Sequence, residues 1–256
     1  MKKLADRMLN RKQLVVLGAV LYLFFLLITA PVGIMERLLP HYSGERLYLQ
    51  SAHGSFWHGE AADLVLTSVD GNSQSLGAVE WRMLWLPILR GELAIALDLA
   101  TAPNESHGIV ALVPGGIRLR KIDVAMPIST LTEFYPNWKL WQPGGMLEAH
   151  AEMFGVSRDG VNGVAEVKWQ NASSSLSRIN PFGSYLLSIR EGKLNLSALS
   201  GPLQLSGQGE WSGRGVKFEG MAQADPATRD NLQDFMRLFG KEEGSGTYRV
   251  SMSLAR

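Results

Sequence analysis

Cysteine is absent from this 256-residue chain, and charge is scarce: Asp, Glu, Lys and Arg together make 19%. An ordinary soluble domain has roughly 25%. Without cysteine, thiol catalysis, zinc–thiolate centres and disulfide staples are excluded, while a reducing and an oxidising compartment fit equally well. Neither sign of charge dominates, the formal net being +1, but the distribution is uneven. Lys2, Lys3, Arg7, Arg11 and Lys12 against Asp6 give residues 1–12 a balance of +4, which leaves −3 on everything after them. A phosphate-binding basic body is therefore not expected, nor a nucleic-acid partner.

Catalytic constellations are missing as well. There is no Gly-x-Ser-x-Gly elbow and no phosphate loop, and Gly207-Gln208-Gly209-Glu210-Trp211-Ser212 lacks the third Gly of a dinucleotide fingerprint. His53 and His58 flank Gly-Ser-Phe-Trp. On a strand, positions five apart point to opposite faces and could not chelate one ion; in a turn that objection weakens. His41, His107 and His150 have no neighbour at ligand spacing. Asp63, Asp98, Glu148 and Glu166 read as the solvated face of a sheet. We expect no enzyme, no cofactor and no metal.

What is present begins with an uncharged run from Gln13 to Met35. Its densest part, Leu14 to Val32, would span about 28 Å as a helix, near the roughly 30 Å of bilayer hydrocarbon. A cleaved signal peptide has a shorter apolar region and a small residue where Ile28 stands. The expectation is a transmembrane helix over 13–35. The basic leader 1–12 then lies in the cytoplasm and residues 36–256 in the periplasm, by the positive-inside rule.

After this run most apolar residues recur at every second position, as in Leu93, Ile95, Leu97 and Leu99, or Tyr248, Val250, Met252 and Leu254. Period two means half-buried strands. Turns fall at Asp70–Gly71, Pro114–Gly116, Arg158–Gly160, Glu191–Gly192, Ser200–Pro202 and Gly213–Gly215. Short strands without long helices between them predict a mainly β fold, a strongly curved antiparallel sheet that is either an open groove or sandwich-like. Two short helices interrupt it. One has Asp225 as cap and Leu232, Phe235, Met236 and Phe239 on one face before Gly240; the other has Ser129 as cap, with Leu131, Phe134, Tyr135 and Pro136. Their matching positions suggest repeat halves over 41–141 and 142–256. Any hairpin-rich chain, however, lines up with itself. Seven Trp read mainly as core anchors whose indole N–H groups find acceptors, with Trp57 filling the core in a bend allowed by Gly54 and Gly59.

The stretch Gly54-Ser55-Phe56-Trp57-His58-Gly59-Glu60-Ala61 resembles a signature of the type II secretion system protein N family. Val79-Glu80-Trp81, Gly91-Glu92-Leu93, Asn180-Pro181-Phe182-Gly183-Ser184-Tyr185 and Leu203 to Trp211 follow in the matching order. The family pattern often has a small polar residue where His58 stands. The resemblance marks Gly54, Trp57, Gly59, Trp81, Pro181, Gly183, Tyr185, Gly207 and Gly209 as structural signature positions. It implies a single-pass inner-membrane accessory of the machinery that exports folded proteins, with other secretion components as partners, and no catalytic residues. The second reading is lipid handling, since an anchored curved sheet with one apolar face looks like AsmA-type groove proteins.

Overall fold

The computed structural model describes residues 11–255 except 69–70, 102–103, 133–137, 139, 214, 239 and 245. At 11, 13, 101, 104, 252, 254 and 255 it describes the backbone alone. The leader up to residue 10, Asp70, Phe134, Tyr135, Pro136, Arg214 and Phe239 therefore lie outside the described residues.

The uncharged run forms two helices rather than one. Helix α1 (Arg11–Ile28) is followed by a break and by α2 (Gly33–Ser43). Pro31 explains the break: it has no N–H to donate and pushes the residue before it out of helical geometry. Instead, Pro31 makes an isolated antiparallel bridge to Ser55. Among the described residues no helix is long and apolar enough to cross a membrane. Helix α2 ends at Gly44 in the left-handed conformation, φ 66°. The Ser43 hydroxyl then accepts the backbone N–H groups of Arg46 and Leu47, which launches the sheet.

The body is one antiparallel sheet of fifteen strands among the described residues. First come β1 (Leu47–Gly54), β2 (His58–Thr67), the short β3 (Ser73–Ser75) and β4 (Ala78–Leu84), then the helical turn α3 (Trp85–Ile88). Next are β5 (Leu93–Thr101), β6 (Asn104–Val113), β7 (Gly116–Pro127) and α4 (Ser129–Thr132). The second run holds β8 (Pro143–Ser157), β9 (Gly160–Ser174), β10 (Gly183–Arg190), β11 (Lys193–Ser200), β12 (Leu203–Ser212) and β13 (Gly215–Ala224). It closes with α5 (Arg229–Arg237), β14 (Lys241–Gly244) and β15 (Thr247–Ala255). From β4 to β13 each strand pairs with the next in sequence; β3 hangs off β2, and β15 pairs β13 before β14. Where the residues are described, the Gly-marked turns fall where the punctuation predicted. Two-residue links join Val113 to Gly116, Ser157 to Gly160 and Arg190 to Lys193.

Because residues opposite each other share a face, the register sorts the side chains. One face is apolar across the sheet: Ala149, Val167, Leu187, Leu196, Gly207, Gly220 and Val250 stand in one transverse row. That face curls inward. Phe154 on β8 and Trp211 on β12 lie four strands apart in the sheet, yet their ring centroids are 6.4 Å apart. At the same end Ser212 of β12 pairs directly with Gly160 of β9, bypassing the β10–β11 hairpin. Bulges between His107/Ile109, Gly144/Met146 and His150/Met153 supply added bend.

Helices plug the curl. Leu232, Phe235 and Met236 of α5 are buried against Phe182, Tyr185, Leu203 and Tyr248, as their spacing predicted. The expected cap differs. Helix α5 begins after Thr228, and Asp225 sits in a preceding turn where its carbonyl oxygen accepts the Thr228 N–H. Pro226 and the residues after it form that separate turn. At the other end of the sheet Val32 and Met35 pack on Ala61, Val79 and Trp81.

Candidate functional site

The signature turn joins β1 to β2. Gly54 has φ 99°, and a Cβ there would come within 2.6 Å of the His58 carbonyl oxygen. At Gly59 a Cβ would come within 2.4 Å of the Trp81 ring. Trp81, 3% exposed, is thus the indole that fills the core of the first strands, and its Nε1–H donates to the Phe56 carbonyl at 3.2 Å. The expectation that Trp57 fills this core is overturned. Trp57 is half-buried, stands 4.5 Å from Trp85 between ring centroids, and donates through Nε1–H to the Leu27 carbonyl at 2.6 Å. The Phe56 N–H donates to the Ala30 carbonyl at 2.9 Å. The turn therefore ties the exit of α1 to the sheet.

The hairpin also changes the geometry of the two His residues. His53 pairs with Glu60, and His58 stands two residues before Glu60, so both imidazoles belong to one face and line one shallow depression. The opposite-face argument fails because Gly54–His58 is a turn. Among the described residues no cluster of three or more His, Asp or Glu could hold a metal ion.

The other signature positions are packing devices. Asn180 holds the loop before β10: its Oδ1 accepts the Ser174 N–H, and its Nδ2 donates to the carbonyls of Ser174 and Ser177. Pro181 follows through a cis bond. Phe182 is buried behind it, and Gly183 leaves room for the Tyr185 hydroxyl, which donates to the Leu203 carbonyl at 2.9 Å. Burial raises the Tyr185 phenol above its ordinary value. On β12, Gly207 and Gly209 make space for the Phe218 ring, which a Cβ at Gly207 would meet at 2.3 Å.

Phe182 and Phe218 border an apolar cavity of about 170 Å³ between α5 and the curled sheet, lined also by Trp141, Trp169, Leu205 and Met236 among others. Its lining is almost wholly apolar.

Two features of the opposite face were not legible in the sequence. His53, Glu60, Glu80, Asp98, His107, Asp123, His150 and Glu166 stand opposite one another in a single row across eight strands. Each carboxylate reads alone as a solvated residue, and only the register aligns them. At the far end of β5, Glu92 receives the guanidiniums of both Arg118 and Arg120. Burial of its carboxyl alone would raise the pKa, but the two guanidiniums outweigh it and hold Glu92 below the ordinary carboxylate value.

A family model described as type II secretion system (T2SS), protein N matches residues 45–251. No curated protein matches the chain, and no solved structure does.

Proposed function

Since this chain belongs to the type II secretion system protein N family, we propose that it is a non-catalytic inner-membrane accessory whose β domain contacts other secretion components in the periplasm. The contrast between the two sheet edges carries this reading. Strand β14 is a four-residue edge of sequence Lys-Glu-Glu-Gly, fully exposed, of the kind that repels a stray strand. Strand β1 is an eight-residue edge with no Lys, Arg, Asp, Glu or Pro, and it pairs only with β2 among the described residues. An uncharged unpaired edge is suited to adding a strand from a partner. A photocrosslinker at Gln50 is expected to trap another secretion component in cells that assemble the apparatus. Crosslinks that form only at β14, or nowhere on the domain, would remove this reading.

The anchor is the hydrophobic stretch of α1, where Leu14 to Ile28 is exposed along its whole length. Such a surface is disfavoured in water and suited to lipid. In this reading α1 sits in the bilayer with the basic leader in the cytoplasm, and residues 30–32 already belong to the domain. A periplasm-active phosphatase fused after Arg256 should then be active, and the protein should resist carbonate washing. An inactive fusion would reverse the orientation.

Lipid handling is the second reading, favoured by the apolar cavity beneath α5. The cavity of about 170 Å³ takes the end of one acyl chain, so native mass spectrometry of the detergent-extracted chain should then retain a single lipid held by its tail. A lipid-free spectrum beside a cooperative melt would leave the cavity as a packing defect.

A further inference from the structure

Four large apolar side chains stand out of the link between β4 and β5. Trp85, Leu86 and Ile88 of α3 and the following Leu89 are all exposed, Leu86 by 80% and Leu89 by 85%. Consecutive exposed residues of this size on one turn mark an interaction surface rather than scattered surface apolarity. Its place in the fold says what covers it. Trp85 lies against Trp57, and Trp57 is bonded to the Leu27 carbonyl in the last turn of α1. The Met83 N–H donates to the Trp57 carbonyl at 2.7 Å, which fixes the start of α3 to the same turn. The patch is thus held beside the end of α1, at the level of its final turn. Between Met83 and Gly91 the single charged residue is Arg90.

Paired indoles, aliphatic side chains and one cation at the end of an apolar helix match the chemistry of the membrane–water boundary. There an aromatic ring buries its body and keeps its N–H hydrated. We propose that α3 and Leu89 form an amphipathic foot that rests in the interfacial layer of the bilayer, on the periplasmic side, beside α1. This rests on the reading of α1 as membrane-inserted. The foot gives the domain a second attachment, so the sheet has a set tilt instead of swinging on α1 alone. It also brings one end of the apolar face to the lipid. Leu93, Leu112 and Ile117 stand opposite one another at the strand ends beside the foot, and all three are exposed.

Because the chain has no cysteine, single-cysteine variants report one position each. Leu86→Cys, Leu89→Cys, Val20→Cys in α1 and the exposed Leu140→Cys in the link between α4 and β8 would be labelled with a polarity-sensitive fluorophore. The full chain is then reconstituted in phosphatidylethanolamine–phosphatidylglycerol vesicles. Labels at Leu86 and Leu89 should show blue-shifted emission that a headgroup-borne lipid quencher removes and aqueous iodide does not, while the Leu140 label behaves oppositely. If Leu86 and Leu89 behave like Leu140 while the Val20 label stays in lipid, the foot is overturned and the α1 reading stands. A Val20 label open to iodide would remove the α1 reading as well. Labels at Leu86 and Leu89 shielded from both quenchers would mean that protein covers the patch, which also overturns the foot.

Discussion

The buried ring of Trp81 rests against Gly59 so closely that a single added methyl group would overlap it, at 2.4 Å from Cζ2. A Cβ there would also come within 2.7 Å of the His53 carbonyl, which is backbone and cannot swing aside. Gly59→Ala should therefore destabilise the domain by about 1–3 kcal/mol. Trp81→Ala should remove about 3–5 kcal/mol, and Trp57→Ala clearly less. Urea unfolding of the three variants in detergent ranks them. A larger loss for Trp57 than for Trp81 would contradict the assignment of the core indole.

Glu92 supplies a pH test. Its pKa is lowered in the folded state, so folding favours the ionised carboxylate. That stabilisation is complete above the ordinary carboxylate range and is lost as pH falls through the lowered pKa. Glu92→Gln should thus melt earlier than the native chain at neutral pH, and the two melting temperatures should converge in acid. A constant gap at every pH would place the effect in packing rather than in charge.

Two buried tyrosines should respond in opposite ways to loss of their hydroxyls. Tyr185→Phe removes the donor to the Leu203 carbonyl and should cost about 1–2 kcal/mol. The Tyr248 hydroxyl is buried with no hydrogen-bond partner among the described residues. Tyr248→Phe should be neutral or stabilising, because it removes an unsatisfied polar group. Thermal melts of both variants under one condition decide the matter.

Ala222 lines the apolar cavity and is itself buried. Ala222→Leu should occupy part of its volume of about 170 Å³. Uptake of an apolar dye by the native chain should fall in this variant while stability is kept or raised. Unchanged dye binding would locate the dye elsewhere, for instance at the exposed surface of α1.

The strands and their turns were legible because period-two apolarity and Gly-marked links are local. The pairing of Val113 with Gly116 across Pro114–Gly115 is an example. The buried face of α5 was legible for the same reason. Properties that depend on which strand meets which were not. Trp57 and Trp81 are equivalent as residue types, and only the hairpin at Gly54–His58 sends one indole to α1 and the other into the core. The helix break at Pro31 carried a local signal, but a uniform apolar run hid it. Contact between Phe154 and Trp211 depends on the accumulated curl of several strands, which no short window of sequence contains.

The order of the strands also bears on how the domain is made. From β4 to β13 every strand adds to the one synthesised just before it, so no strand in this run waits for a distant partner. Contacts of short sequence separation form quickly. A chain that emerges from its N-terminus can lay down this sheet in the order in which it is made. Other steps reach back along the chain, among them the meeting of β12 with β9, the pairing of β15 with β13 and the seating of α5 over Phe182. Until those steps occur, the apolar face of the newest strands stays open, and α5 with β15 is the stopper that closes it.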